Sequence, residues 1–333
     1  MRESGVVAVV GAGISGLAAA HRLQQGGLRP IVFDKSHGVG GRMATRRAGG
    51  LEFDHGAQYF TSHGDMFGAF VQRWRTAGIV ANWPPQGLSG RAEGCFVGVP
   101  TMNAPAKALA EGLLILTEKT ITEVVPGDGG WRLSDEAGAV SAAGIDRFDA
   151  VILAIPAPQA AALVQRSGVA LTWLDRVEYA PCWALMLAAG KEAATLPEAF
   201  SPEDGAISWV ARNSAKPGRP TGPETLVVHA APDWSRAHLE STPEEVSGLL
   251  LKRLEACTHR ALEPSHVAAH RWRYALVERA VGAPFLWDEA AGLGACGDWC
   301  LGPRVEAAFD SGYALAGAIL GQPHVPIGRE ARR

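Results

Sequence analysis

Residues 6–25 read VVAVVGAGISGLAAAHRLQQ, and no other stretch restricts the fold as strongly. Five consecutive apolar residues without alternation mark a strand buried on both faces, as in a parallel sheet covered by helices. Gly11, Gly13 and Gly16 follow at once and open a helix over Ile14–Gln25, which Gly26 and Gly27 end. PIVFD (Pro30–Asp34) is a second strand, so residues 6–34 form one βαβ unit. In that setting the G-x-G-x-x-G spacing has mechanical meaning. Gly11 allows the tight turn, Gly13 lets backbone touch a pyrophosphate, and Gly16 lets the helix pack on the strand. Ile14 and Ser15 open the helix, whose unpaired N–H groups and positive dipole end suit phosphate. Asp34 lies 18 residues after Gly16, where an acid accepts hydrogen bonds from an adenosine ribose.

FDKSHGVGGRMATRR (Phe33–Arg47) then sets Asp34 and Lys35 ahead of glycines and arginines. Arginines beside a ribose can serve a 2′-phosphate, but Asp34 would repel that group at close range. A free ribose hydroxyl fits better. Arg42 can reach the pyrophosphate from its other side, because the guanidinium fork matches phosphate oxygens and Gly40-Gly41 let the chain come close. For Arg46 and Arg47 a solvated basic turn competes evenly with a ligand contact. GLGACG (Gly292–Gly297) repeats the spacing, but LWDEAA before it is no buried strand and DWCLGP cannot start a helix directly.

At 333 residues the chain is too long for one ordinary core, so two lobes or one large domain with an insertion are expected. A net charge of -3 gives no electrostatic case for nucleic acid or an anionic membrane. The N-terminal flank MRES is hardly basic and no apolar run reaches the roughly 18 residues of a membrane span, so a cytoplasmic protein is expected. Five scattered cysteines, with no C-x-x-C pair, argue against a disulfide framework. His266 and His270 stand at i, i+4 spacing with no third ligand near; a surface pair is expected there and no metal site.

MNAPAKALAEGL reads as a helix, LLILTEKTITEVVPGDGGWRLSD as strands joined at PGDGG, and DAVILAIP (Asp149–Pro156) as another buried strand. Residues near 165–285 carry half of the tryptophans and longer loops, while the end returns to the first style with GPRVEAAFDSGYALAGAILG. QPHVPIGREARR is a polar tail. The expected fold class is α/β, a Rossmann-type cofactor domain (1–61, 99–164 and 286–333) with a second, mixed α+β substrate domain (62–98 and 165–285).

GAGISGLAAA, FDKSHGVGGRMATRR, FDHGAQYFT, HRWRYA and GDWCLGPRVEAAFDSG together resemble the renalase-type flavoproteins, within the amine oxidase superfamily that folds like p-hydroxybenzoate hydroxylase. The likeness runs from Val6 to about Leu320. It implies FAD, extended from the first βαβ unit to the junction of the lobes. Asp34 would hold the ribose, Gly41, Arg42 and Met43 line the pyrophosphate, and the backbone at Ile121 meet the adenine. Gly297 and Asp298 would bind toward the ribityl and phosphate groups. Arg304 and Val305 would open a last helix whose N-terminus faces the flavin pyrimidine edge, where reduction builds negative charge.

The resemblance further implies oxidation of dihydronicotinamide isomers reduced at ring position 2 or 6, with hydride passing to flavin N5 and oxygen becoming hydrogen peroxide. Such a ring gains aromaticity on losing hydride, so no general base is needed. Ala57, Gln58, Tyr59 and Phe60 are expected beside the flavin. Trp209, His229, Trp272 and Arg273 are candidates for the substrate face. No attachment motif is recognised, so FAD is expected to be non-covalent, in a monomer or weak dimer. An amine oxidase and a non-catalytic flavin-binding protein are the alternatives.

Overall fold

A computed structural model describes residues 5–87, 94–169 and 171–322. Strand β1 (Val6–Val10), helix α1 (Ile14–Gln25) and strand β2 (Arg29–Phe33) form the first unit, with β2 parallel to β1 and Val10 opposite Phe33. The helix buries Leu17, Ala18 and Leu23 and ends at Gly26, as its apolar spacing dictates.

The chain then leaves the sheet. It makes the hairpin β3 (Arg46–Ala48) and β4 (Leu51–Phe53), helix α2 (Asp65–Thr76), the pair β5 (Val80–Asn82) and β6 (Phe96–Gly98), and helix α3 (Ala104–Ala110). Strand β7 (Leu114–Leu116) returns parallel to β2. An antiparallel flap follows, β8 (Glu123–Gly127), β9 (Gly130–Asp135) and β10 (Gly138–Ala139), turning at the PGDGG sequence. Strand β11 (Ala150–Leu153), wholly buried, enters on the far side of β1, and helix α4 (Ala157–Ser167) leaves it.

The second lobe is a five-stranded antiparallel sheet built from β12 (Glu178–Ala189), β13 (Ala199–Phe200), β14 (Ile207–Arg212), β15 (Glu224–Ala230) and β16 (His266–Arg279), in the order β13-β14-β15-β12-β16. Helices α5 (Pro232–Ala237) and α6 (Pro243–Thr258) lie between β15 and β16. A capping box of Thr242 and Glu245 starts α6, with Pro243 in its first turn. Val246, Leu250 and Leu254 of α6 pack on Trp183, Leu185 and Leu187 of β12, which closes one face of this sheet. The other face looks toward the first lobe.

Strands β17 (Leu286–Asp288) and β18 (Leu293–Ala295) return to the first sheet, whose order is β17-β18-β11-β1-β2-β7. The one-turn helix α7 (Asp298–Leu301) and the long α8 (Val305–Ile319) end the described chain. The protein is therefore α/β, a Rossmann-type domain with a second domain of mixed α+β structure.

Two local expectations change. The GLGACG stretch does contain a buried strand, and DWCL does form a helix at once, but that helix has one turn and stops at Gly302, unlike α1. His266 and His270 lie on a strand, and both are half-buried. Segment 62–98 sends Phe67, Phe70 and Trp74 into the same cluster as Leu17 and Phe309, a cluster that also takes in Ala199 and Ala211 of the second sheet. Most of the polar tail, residues 323–333, lies outside the described residues.

Candidate active site

The cofactor end is built by three backbone segments. Gly11 holds φ +109°, and a Cβ on Gly16 would sit 2.0 Å from the Gly11 carbonyl oxygen, so the turn and α1 touch backbone to backbone. Gly40 donates its N–H to the Ala12 carbonyl at 2.9 Å, and a Cβ on Gly41 would lie 3.3 Å from Gly13 Cα. The glycine-rich loop therefore runs along the G-x-G turn. Asp34 Oδ2 accepts from Ala12 N at 2.6 Å, fixing the carboxylate at the end of β2. Ile121 is buried in the cluster that holds Phe33, Met43 is buried, and Lys35 is exposed.

This cradle fits a phosphate-bearing cofactor. The first turn of α1 has no side-chain cap and no acid, and nothing lies within 4 Å of a Cβ placed on Gly13.

Arg42 and Asp298 meet each other. Arg42 Nη1 and Nη2 donate to the two Asp298 oxygens at 2.7 and 2.6 Å, and Nη1 also reaches the Ala275 carbonyl at 2.9 Å. Burial opposes the Arg42 charge, but Asp298 outweighs it and raises the guanidinium pKa. The fork thus clamps the glycine loop to α7 and to β16. Gly297 donates its N–H to Ser311 Oγ at 3.0 Å, which ties α7 to α8. Arg304 and Val305 stand half-buried at the start of α8, which has no side-chain cap, and Glu306 in its first turn accepts from the N–H groups of His63 and Gly64.

The inner face of the second sheet supplies a floor. Trp209 pairs with His229, His229 with Ala184, and Ala184 with His270; Cys182 pairs with Trp272 on the same face. The floor is aromatic at both ends and small in the middle. The turn 54–60 lies over it, held because a Cβ on Gly56 would come within 1.9 Å of the Arg42 oxygen, from which Ala57 takes a 2.8 Å hydrogen bond. Tyr59 packs on Trp209 with ring centroids 5.7 Å apart, and the Trp209 indole N–H is buried without a partner.

The structure thus gathers Gln58, Tyr59, Trp209, His229 and Trp272 in one place. Arg273 does not join them, because strand neighbours point to opposite faces: Arg273 is exposed on the other side and pairs with Glu240 at 2.8 Å.

His55 is the hub that sequence reasoning passed over. Its carbonyl accepts from Trp272 Nε1 at 2.9 Å and His229 Nε2 at 3.3 Å, and its ring lies 4.8 Å from His270 and 4.9 Å from Trp272. Burial holds the imidazoles neutral. His229 is pushed down to about 4, mainly by burial and further by Lys216, although the His55 carbonyl opposes the shift. Burial, then His270, Arg46 and His229, push His55 down to about 3. Burial and Arg46 also lower His270.

Behind Gln58 stands a buried ionic cluster that nothing local in the sequence announces. Asp54 is fully buried; its Oδ1 accepts from Thr45 Oγ1 at 2.7 Å and Met102 N at 3.1 Å, and its Oδ2 from Lys216 at 3.2 Å and Arg219 at 2.5 Å. Burial would raise the Asp54 pKa, but Lys216 and Arg219 hold it well below the usual carboxylate range. Lys216 also donates to Gln58 Oε1 at 3.1 Å, and Gln58 Nε2 reaches the carbonyls of Asp54 and Gly56.

A glycine cradle for a dinucleotide thus leads to an aromatic floor between two lobes, the layout of a cofactor-dependent oxidoreductase. The family described as flavin containing amine oxidoreductase matches residues 76–320, and a NAD(P)-binding Rossmann-like domain matches residues 9–90. The chain belongs to the flavin-containing amine oxidoreductase family, with FAD as its cofactor. Renalase of Mus musculus is 26% identical over 303 residues, covering 83% of this chain and 86% of that protein. Among solved structures, the putative protoporphyrinogen oxidase of Exiguobacterium sp. 255-15 superposes with a TM-score of 0.76 at 15% identity, covering 95% of this chain and 99% of that one. Cyclohexylamine oxidase of Brevibacterium oxydans IH-35A gives 0.70 at 14% identity, with 96% and 99% covered. At those identities the two structures speak for the fold alone.

Proposed function

We propose that the protein is a renalase-like oxidase that converts 2- and 6-dihydro isomers of NAD(P)H to NAD(P)+ in the cytoplasm. FAD, bound non-covalently, would supply the hydride acceptor at N5, with O2 as the final oxidant and hydrogen peroxide as its product. The observation that carries this reading is the neutral floor: His229 and His270 are kept uncharged by burial, between Trp209 and Trp272. Such a surface receives a flat heteroaromatic ring through stacking. A dihydropyridine that loses hydride becomes aromatic and needs no proton removed, so orientation is the main thing these residues supply. The kinship with mouse renalase along most of both chains supports the same substrate class.

In this reading the G-x-G turn, Asp34 and the Gly40–Met43 loop bind the adenosine and diphosphate part of FAD, Asp298 and Val305 lie toward its ribityl and flavin parts, and Gln58 and Tyr59 border the flavin. Trp209, His229 and Trp272 face the substrate. The two-lobe division of the sequence, 1–61, 99–164 and 286–333 against 62–98 and 165–285, is retained as part of the proposal.

The test is an anaerobic stopped-flow mix of the FAD-loaded protein with borohydride-reduced NAD+, which contains the 2-, 4- and 6-dihydro isomers, against pure 4-dihydro NADH and a panel of amines. Rapid bleaching by the isomer mixture alone, with peroxide on admitting air, is expected. Bleaching by an amine and not by the mixture would replace this reading with an amine oxidase.

A further inference from the structure

The cluster behind Gln58 is unbalanced. Asp54 brings one negative charge, Lys216 and Arg219 bring two positive ones, and all three are withdrawn from solvent. Arg219 spends Nη1 on the carbonyls of Gly98, Pro100 and Pro217, and its Nε and Nη2 on Asp54. Lys216 is the cation turned toward the site: Nζ lies 3.2 Å from Asp54 Oδ2, 3.1 Å from Gln58 Oε1, and 5.3 Å from the centre of the Trp83 ring. Holding the Gln58 oxygen leaves the amide nitrogen directed at the Asp54 and Gly56 carbonyls, with His229 Nε2 3.4 Å away. The amide therefore has one orientation, and Lys216 sets it.

Hydride uptake gives FAD two electrons and one proton, a gain of one negative charge. We propose that Lys216 is a positioning residue of the redox site, which fixes the Gln58 amide and sets the surplus positive charge behind the Gln58–Tyr59 turn, so that the site favours the anionic reduced form of FAD. This rests on the reading that the flavin lies at that turn. It does not depend on which substrate delivers the hydride.

The titratable and charged groups packed around Lys216 are Asp54, Arg219 and His229. Asp54 stays ionised, Arg219 stays charged, and His229 stays neutral above about pH 5. Burial, partly offset by Asp54 and reinforced by Arg219, pushes Lys216 down to about 8. Between pH 6 and 10 Lys216 is thus the member of this group that changes charge.

The experiment is the two-electron reduction potential of bound FAD, titrated against a reference dye in the wild type, Lys216→Met, Lys216→Arg and Gln58→Leu proteins. At pH 7, K216M is expected to favour the oxidised form about tenfold more than wild type, a fall of about 30 mV, while K216R stays at the wild-type value. The wild-type potential should fall more steeply with pH once Lys216 loses its proton near pH 8, and the gap to K216M should close above that. An unchanged potential in K216M, with Q58L shifted, would make Lys216 a structural tie only and overturn the proposal. Unchanged potentials in both would place the flavin elsewhere and overturn the underlying reading as well. Should K216M fail to fold, the wild-type curve decides: an unbroken slope through pH 8 refutes the proposal.

Discussion

Asp54→Asn isolates the contribution of the buried cluster. The side chain keeps its volume and one oxygen but loses its charge, and its new amide hydrogens face either the Thr45 and Met102 donors or Lys216 and Arg219. Two buried cations are then left without their anion. Breaking a buried ion pair from one side costs about 3–5 kcal/mol, and at about 2 °C per kcal/mol for a large domain this is a fall of about 6–10 °C in Tm at neutral pH. Asp54 has a folded pKa below its unfolded one, so its stabilisation is fully present above about pH 4 and is lost as pH falls below that. Thermal melts of wild type and D54N should therefore differ by a steady amount above about pH 4, and the difference should shrink as pH falls below that. The double variant D54N/K216M should melt above D54N, because one stranded cation has gone. A D54N protein melting within about 1 °C of wild type at pH 7 would refute the reasoning that the buried Asp54 carboxylate compensates Lys216 and Arg219.

Gly312→Ala would put a Cβ 1.9 Å from the Ser15 carbonyl oxygen, so it should push α8 off α1, cost about 1–3 kcal/mol, and lower FAD content measured by visible absorbance. Arg273→Ala should leave kcat/KM within about twofold of wild type, since its side chain pairs with Glu240 in solvent; Trp272→Ala, on the inner face, should lower it at least about tenfold in the isomer assay. Asp310 is pushed up to about 7 by burial and Glu306, against Arg304. Its folded pKa exceeds the unfolded one, so it lowers stability as pH rises from about 4 to 7. Asp310→Asn should match wild type at or below about pH 4 and melt higher at pH 8; a lower melting point at pH 8 would contradict this.

What the chain announces locally came through. Val6–Val10 and Ile14–Gln25 appear with the bounds that apolar runs and glycines set, because their signals lie within a few residues of the structure they produce. The Asp54 cluster has no such signal: its members sit 162 and 165 residues apart, in turns whose composition is ordinary for surface loops. His270 was hidden by a spacing of four, which suits a helix face and a strand face equally, since four is even. Arg273 was readable after all. In HRWRYA, placing Trp272 inward on a strand obliges Arg271 and Arg273 to point outward, as they do toward Glu240.

The first sheet also has a history written into its strand order. Strand β1 precedes the rest of the sheet in the chain, yet β18 and β17, which extend it beyond β11, come after the whole second lobe, and α8 must dock against α1 across the close contact of Gly312 with Ser15. A chain leaving the ribosome therefore exposes the apolar flank of β11 and α1 until β18 and α8 have been synthesised, and the whole second lobe folds as a guest between two halves of an unfinished host. A chain cut before Leu286 would hold all five strands of the second sheet beside a first sheet open along one edge.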